Sequence, residues 1–331
     1  MNFRFTDEQR LVRAEVRSLL EREWTAADLR AAWTSGEPAL EIRRHLADLG
    51  VRGITVPERL GGLGGDDLAL VLVLEEYGRA AVPDAVAVET SVAAPMLAAL
   101  GGEAADRWLP RVASGEASIS VGLDGGYVAD ADIADLILVL DGEDRVVVIE
   151  KGALDAVRQP SFDRARRFFS IGGHRGVRVD ADPEVVAMAR DRARFTSAAQ
   201  LLGLAERMLD MSVAYAKVRE QFGQPIGAFQ AIKHRLAEAK TAIELARPVV
   251  YAAAWAIASS QPDRSVYVSL ARLFTNRAGN LTARQALQVH GGIGFAAEHD
   301  LHLFLKRAKS LELSSGGTGA QLRRIADHLQ V

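Results

Sequence analysis

The sequence predicts a mainly α-helical chain with a small β domain in its middle, and three features carry that expectation. Leu201, Leu204, Met208, Met211, Tyr215, Val218 and Phe222 recur at alternating steps of three and four, and Phe229, Ile232, Leu236, Ala239, Ile243, Ala246 and Val250 repeat the pattern. Each seam is the mark of a long helix with one buried stripe. Residues 6–113 carry shorter helical patterns, whereas residues 118–179 switch to β-branched runs broken by Gly and Asp. The expected domains are a helical one at 1–115, a reduced β domain at 116–182 and a four-helix bundle at 183–331.

The first helix opens at Thr6, where Thr6 and Gln9 make a capping-box pattern, and carries Leu11, Ala14, Leu19 and Leu20 on one side. Further helices are expected near 39–49, 66–80, 86–99 and 103–113. The cluster Gly61-Gly62-Leu63-Gly64-Gly65 reads as a turn, because no Gly-Lys-Ser/Thr follows it and no strand-to-helix unit surrounds it. Strands are expected at 118–123, 134–140, 145–149 and 176–179, mostly antiparallel, with Asp141–Asp144 as a hairpin turn. From Pro183 the chain turns helical again, and the turn at Gly223–Gly227 forces the two long helices into an antiparallel pair. A third helix is expected at about 264–290, a fourth at about 301–313, and a terminal turn of helix at 321–329. Pro248, inside the second long pattern, predicts a kink or a break.

With 331 residues, 49% hydrophobic and 25% charged, the chain can bury a large core in two or three domains. A net charge of −3 gives no general electrostatic reason to bind nucleic acid or an anionic membrane. The chain has no cysteine, which removes disulfides, thiolate metal sites and thiol nucleophiles, so any electron carrier is borrowed. No apolar h-region precedes the first helix, and Pro83, Asp84, Glu89 and Pro95 interrupt the most apolar tract, near 80–100. That tract reads as a buried helix and the cytoplasm as the expected location. His299 and His302 stand at a spacing that could chelate a metal, but no third ligand is suggested nearby. A solvated helix start is the better reading, and no metal is expected.

Two strings in the C-terminal third are the most informative: Arg219-Glu220-Gln221-Phe222-Gly223-Gln224-Pro225-Ile226 and Gln288-Val289-His290-Gly291-Gly292-Ile293-Gly294-Phe295. They resemble the two C-terminal flavin-contacting motifs of acyl-CoA dehydrogenases. Val56-Pro57-Glu58-Arg59-Leu60-Gly61-Gly62-Leu63-Gly64 and Leu74-Glu75-Glu76-Tyr77-Gly78-Arg79 resemble that family's N-terminal loop and the helix end after it. The resemblance covers nearly the whole chain, in the family's order of domains. It implies that Arg219 approaches the pyrophosphate of FAD in a neighbouring subunit, that Phe222 packs by the adenosine half, and that Gln288, Gly291 and Gly292 border the ADP portion. Taken singly, Arg219 also reads as a solvated helix-end cation, Phe222 as core and the glycine pair as a helix stop; the order and spacing of the set favour the cofactor.

Three departures from the family pattern bear on mechanism. The Thr-Glu-Pro-x-x-Gly-Ser-Asp and Trp-Ile-Thr/Ser-Asn segments that wrap the flavin ring are missing or severely cut, and Val121–Asp130 stands in their place. Flavin-linked α,β-dehydrogenation needs a carboxylate to take the α-proton, in many members a Glu just before Gly-Thr. That position holds Gly316 or Ser315 here, according to a one-residue choice of register. Other members place the Glu beside an arginine that opens the first bundle helix; Arg194 matches that arginine, but its neighbour is Ala193. Glu312 is the nearest acid, and with Arg307 and Lys309 it reads as an ion-paired helix end rather than a substitute base.

The combination resembles the non-catalytic partner in α2β2 acyl-CoA dehydrogenases of actinobacterial steroid degradation. It implies a homologous catalytic subunit as partner, one FAD shared at the interface, a bulky acyl-CoA thioester as substrate, and an electron-transfer flavoprotein or similar acceptor. Two rivals stay open on the residues alone: a homo-oligomeric dehydrogenase or related flavoenzyme with a displaced base such as Glu312, and a non-catalytic scaffold subunit.

Overall fold

The computed structural model describes residues 4–123 and 127–330. Seven helices come first among these residues: α1 (Asp7–Glu23), α2 (Ala26–Ser35), α3 (Leu40–Asp48), α4 (Asp67–Ala80), α5 (Asp84–Val88), α6 (Ala94–Leu100) and α7 (Gly102–Ala113). The capping box at Thr6 forms as expected: Gln9 N–H donates to Thr6 Oγ1 at 3.2 Å and Thr6 N–H to Gln9 Oε1 at 3.0 Å. Helix α2 was not anticipated, although Asp28 three residues after Thr25 is a start signal, and Thr25 N–H and Oγ1–H both donate to its carboxylate. Between α5 and α6 the helix widens into a π turn at Glu89–Ala93, close before Pro95, whose nitrogen has no hydrogen to donate.

The β layer holds two small sheets. In the first, β1 (Ile119–Gly122), β3 (Leu136–Leu140), β4 (Arg145–Glu150) and β7 (Val177–Asp180) lie side by side; β1 runs parallel to β3, and the other pairs are antiparallel. In the second, β2 (Val128–Ala129), β6 (Phe168–Gly172) and β5 (Asp155–Gln159) are all antiparallel. The two-residue period divides β3 and β4 cleanly. Leu136, Leu138, Leu140 and Val146 face the helices, while Ile137, Val147 and Ile149 pack with Val128 and Phe169 of the second sheet. Strands β2, β5 and β6 were not expected: β2 is only two residues long, Ala156 and Val157 are the only apolar residues of β5, and Ser170 interrupts β6.

Helix α8 (Pro183–Val218) is the axis of the molecule, packed against α4, α9 (Gln230–Ala258), α10 (Arg264–His290) and α11 (Leu301–Leu313). Its crossing with α4 is set by two glycines: a Cβ on Gly78 would lie 2.0 Å from the Gln200 carbonyl oxygen, and one on Gly203 1.9 Å from that of Glu75. Only bare backbone allows this approach. Three expectations need correction. The break expected at Pro248 does not occur: α9 continues through it, with Pro248 on the exposed side. The terminal turn is a full helix, α12 (Thr318–Leu329), laid on α10. Phe222 belongs to no helical seam, since α8 stops at Val218.

Buried charge clamps the β layer to the helices. Glu89, in the π turn, accepts from Arg52 Nε at 2.7 Å, from Arg43 Nη2 at 3.3 Å and from the N–H of Ile119 in β1 at 2.9 Å. Arg43 reaches on to Asp130, which also takes Arg167. On the far side, Asp163 of the β5–β6 loop pairs with Arg307 of α11. Removing one member of such a cluster leaves an uncompensated buried charge, at a cost of about 3–5 kcal/mol. Glu89→Gln should therefore lower the urea midpoint by an amount equivalent to about 3 kcal/mol with an unchanged slope. An unaltered midpoint would contradict this role.

Candidate functional site

Where α8 ends, the chain makes a tight hairpin. Strand β8 (Glu220–Gln221) pairs with β9 (Gln224–Pro225), and the two residues between them, Phe222 and Gly223, have φ of 53° and 79°. Two consecutive positive φ values define a type I′ turn, which suits Asn-Gly far better than an aromatic residue. Phe222 is nonetheless 92% exposed, touched edge-on by Phe229 at 6.1 Å between ring centroids. A large ring is thus held in water on a left-handed backbone, with its face free for contact. Arg219 caps α8, its N–H donating to the Tyr215 carbonyl and its own carbonyl accepting from Ile226 N–H. Its side chain is exposed and, among the described residues, has no acceptor.

The second motif stands at the same end of the bundle. Helix α10 stops at His290, and Gly291 turns the chain at φ 61°. Gln288 is exposed, and a Cβ on Gly291 or Gly292 would meet nothing within 4 Å, so the backbone there faces open space. Exposed Ile293 and Phe295 follow. The two motifs are joined by Tyr215, one turn before the hairpin, which stacks on His290 at 4.6 Å and 21°. His290 is further held by its Nδ1–H on the Ala286 carbonyl at 2.8 Å and by the ring of His299 at 4.8 Å. Burial lowers the His290 pKa and keeps the ring neutral. Nothing in the sequence announced this stack, since Tyr215 read as one more seam position.

A free guanidinium, an exposed amide, an open glycine edge and unshielded aromatics suit a ligand with an anionic linker and a flat ring. That donor set fits the diphosphate and adenine of a flavin dinucleotide.

Neither position at which the resemblance would put the base holds a carboxylate. Ser315 and Gly316 both have positive φ, at 53° and 88°, in the loop between α11 and α12. Buried Gln321 holds that loop by donating to the Ser315 and Gly316 carbonyls, and a Cβ on Gly316 would lie 3.0 Å from that of Ala320. Ala193 is buried in the core beside the β layer, and Arg194 bonds Asp191. Glu312 accepts from Lys309 Nζ at 2.7 Å, on the wall of a largely apolar cavity of about 590 Å³ between α2, α10 and α11. Arg307 corrects the expected helix-end cluster: it turns into the core, to Asp163 and the Val82 carbonyl. His299 and His302 are not a solvated pair either. His299 packs on His290, and His302 bonds the Ala297 carbonyl and meets Trp33 edge-on. No group of three or more potential metal ligands occurs among the described residues.

Arg272, which the sequence reading passed over, donates from Nη2 to the carbonyls of Leu311, Glu312 and Ser314 and so fastens the C-terminus of α11. In the β layer, β1 ends at Gly122 and β2 begins at Val128. Of the Val121–Asp130 segment, Asp124, Gly125 and Gly126 lie outside the described residues.

Comparison with known proteins follows the same architecture. Residues 6–116 match the N-terminal domain of acyl-CoA dehydrogenases and residues 184–330 their C-terminal domain. Acyl-CoA dehydrogenase IpdE2 of Mycolicibacterium smegmatis is 33% identical over 323 residues, covering 97% of this chain and 98% of that protein. Among solved structures, a chain of the ChsE4–ChsE5 complex from Mycobacterium tuberculosis is similar with a TM-score of 0.88 and 26% identity, over 100% of this chain and 99% of that one. A chain of a variant of the steroid ACAD Tcur3481–Tcur3483 is similar with a TM-score of 0.88 and 25% identity, over 98% of both. The mainly helical fold with its small β layer, the two matched domains and these relatives agree: the chain belongs to the acyl-CoA dehydrogenase family.

Proposed function

We propose that this chain is the base-lacking subunit of a heteromeric, flavin-dependent acyl-CoA dehydrogenase, and that it grips the tail of an FAD whose ring is housed by a homologous catalytic partner. One observation carries the reading: the hairpin and glycine edge present unpartnered contacts to solvent, while both base positions are held by residues without a carboxylate, Gly316 or Ser315 and Ala193. Bound flavin supplies the two-electron acceptor for introducing an α,β double bond into an acyl-CoA thioester. This chain's part is to bind and orient. Arg219 offers two parallel N–H donors to a phosphate, Gln288 an amide, Gly291 and Gly292 close backbone approach, and Phe222 a flat apolar face for the adenosine half.

A heteromer is supported by the likeness to a chain of the ChsE4–ChsE5 complex. A steroid-derived thioester is supported by the likeness to the steroid ACAD Tcur3481–Tcur3483. We assign an electron-transfer flavoprotein or similar acceptor on family resemblance. A cytoplasmic setting is part of the same proposal; no helix among the described residues is long and apolar enough to cross a membrane.

Purified alone, the chain should carry little flavin absorbance and no dehydrogenase activity. Co-expression with a relative that has the ring-binding segments and the Glu should restore both. Stoichiometric flavin and turnover in the isolated chain would refute the proposal. In the active complex, Glu312→Gln should leave kcat within about twofold, because Lys309 already neutralises that carboxylate; loss of a true general base costs about 10²–10⁴-fold. A drop of that size with flavin retained would make Glu312 the base.

A further inference from the structure

The exposed face of α10 continues the site beyond the two motifs. Gln285, Ala286, Val289 and His290 point into the bundle, and the opposite side of the same turns presents Arg284 and Gln288. These two are four residues apart, so their Cβ atoms stand about 5–6 Å from each other on one face. Of the four arginines of α10, the two buried ones are spoken for: Arg264 pairs with Glu184 and Asp191, and Arg272 binds three carbonyls. Arg277 and Arg284 are exposed and, among the described residues, have no acceptor. Arg284 differs from Arg277 in its surroundings, standing with Leu287 and Phe295 at the edge of the 590 Å³ cavity. A guanidinium beside apolar walls is less well hydrated than one in open solvent and gains more from an anion.

We infer that Arg284 is a second phosphate-binding cation for the shared cofactor, acting beside Gln288 while Arg219 approaches from the hairpin. The inference rests on the reading that this end of the bundle grips the FAD tail. An arginine side chain spans the single helical turn from Arg284 to Gln288, so any diphosphate that reaches the Gln288 amide lies within its range. Arg277 sits about 16 Å along the helix from Gln288, beyond that reach, on the same face and with the same charge. It is a built-in control for general surface electrostatics.

The test is FAD reconstitution of the assembled complex after its flavin has been stripped, followed by quenching of flavin fluorescence, with each variant carried in this chain. Arg284→Ala should weaken FAD binding about tenfold, the loss expected for one charge-assisted contact. Arg284→Lys should fall between variant and parent, Arg277→Ala should leave binding unchanged, and the Arg284 effect should shrink as salt rises. Unchanged binding in Arg284→Ala alongside weakened binding in Arg219→Ala would overturn this inference and leave the proposed function standing. Equal losses in Arg277→Ala and Arg284→Ala would also overturn it, by showing a non-local charge effect. If neither Arg219→Ala nor Arg284→Ala weakens FAD, the proposed function fails with it.

Discussion

The molecule depends on a carboxylate that water does not reach. Glu89 sits in the π turn between α5 and α6 and draws two arginines of the N-terminal helices and the first N–H of β1 onto one point. Through Arg43 the same cluster reaches Asp130 and Arg167 in the β layer, while Asp163 and Arg307 close the opposite joint. One face of the first sheet packs on the helices through Leu136, Leu138, Leu140 and Val146, an apolar contact that has no direction of its own. Buried, paired charge adds direction to that contact, because an arrangement that separates the partners strands an ion in the interior.

The proposed cofactor contacts stand where α8 and α10 end. Gly78 and Gly203 set the close α4–α8 crossing, and the Tyr215–His290 stack ties the last turns of α8 and α10 together. They carry a type I′ turn with an exposed aromatic residue, a cation with no anion beside it among the described residues, and a glycine edge with space above it. Packed support beneath exposed polar and aromatic groups is what the proposed FAD contact requires of this chain. The same chain fills its two possible base positions with residues that serve the fold. Ala193 is core, and Gly316 lets the α11–α12 loop take a left-handed backbone that Gln321 then pins.

Much of this was legible in the residues. The three-four seams fixed the long helices because a buried stripe must repeat at the helical period, and Thr6 with Gln9 or Pro183 marked starts through capping chemistry that is local in sequence. The hairpin and the glycine edge were found as strings, and the family followed from their order. Other features were hidden for physical reasons. Strand β5 is largely exposed and holds Asp155 and Arg158, and β6 sets two adjacent Phe residues before Ser170, so neither shows a clean alternation. Pro248 does not break α9 because it lies on the solvent side, where an unpaired backbone carbonyl costs little. The Glu89 cluster joins residues up to 87 positions apart, and a buried arginine looks like an exposed one until the fold is known. Phe222 fitted a seam by spacing alone, whereas the turn chemistry of Gly223 ended the helix before it.

The central claim is a division of one cofactor between two chains. It can be read directly with an FAD analogue that carries a photoreactive azide on its adenine, bound to the assembled complex and irradiated. The account predicts label in peptides of this chain around the Phe222 hairpin or the Gly291–Gly292 edge, and none from an analogue with the azide on the flavin ring. Adenine label confined to the partner subunit, with this chain unmarked, would contradict it.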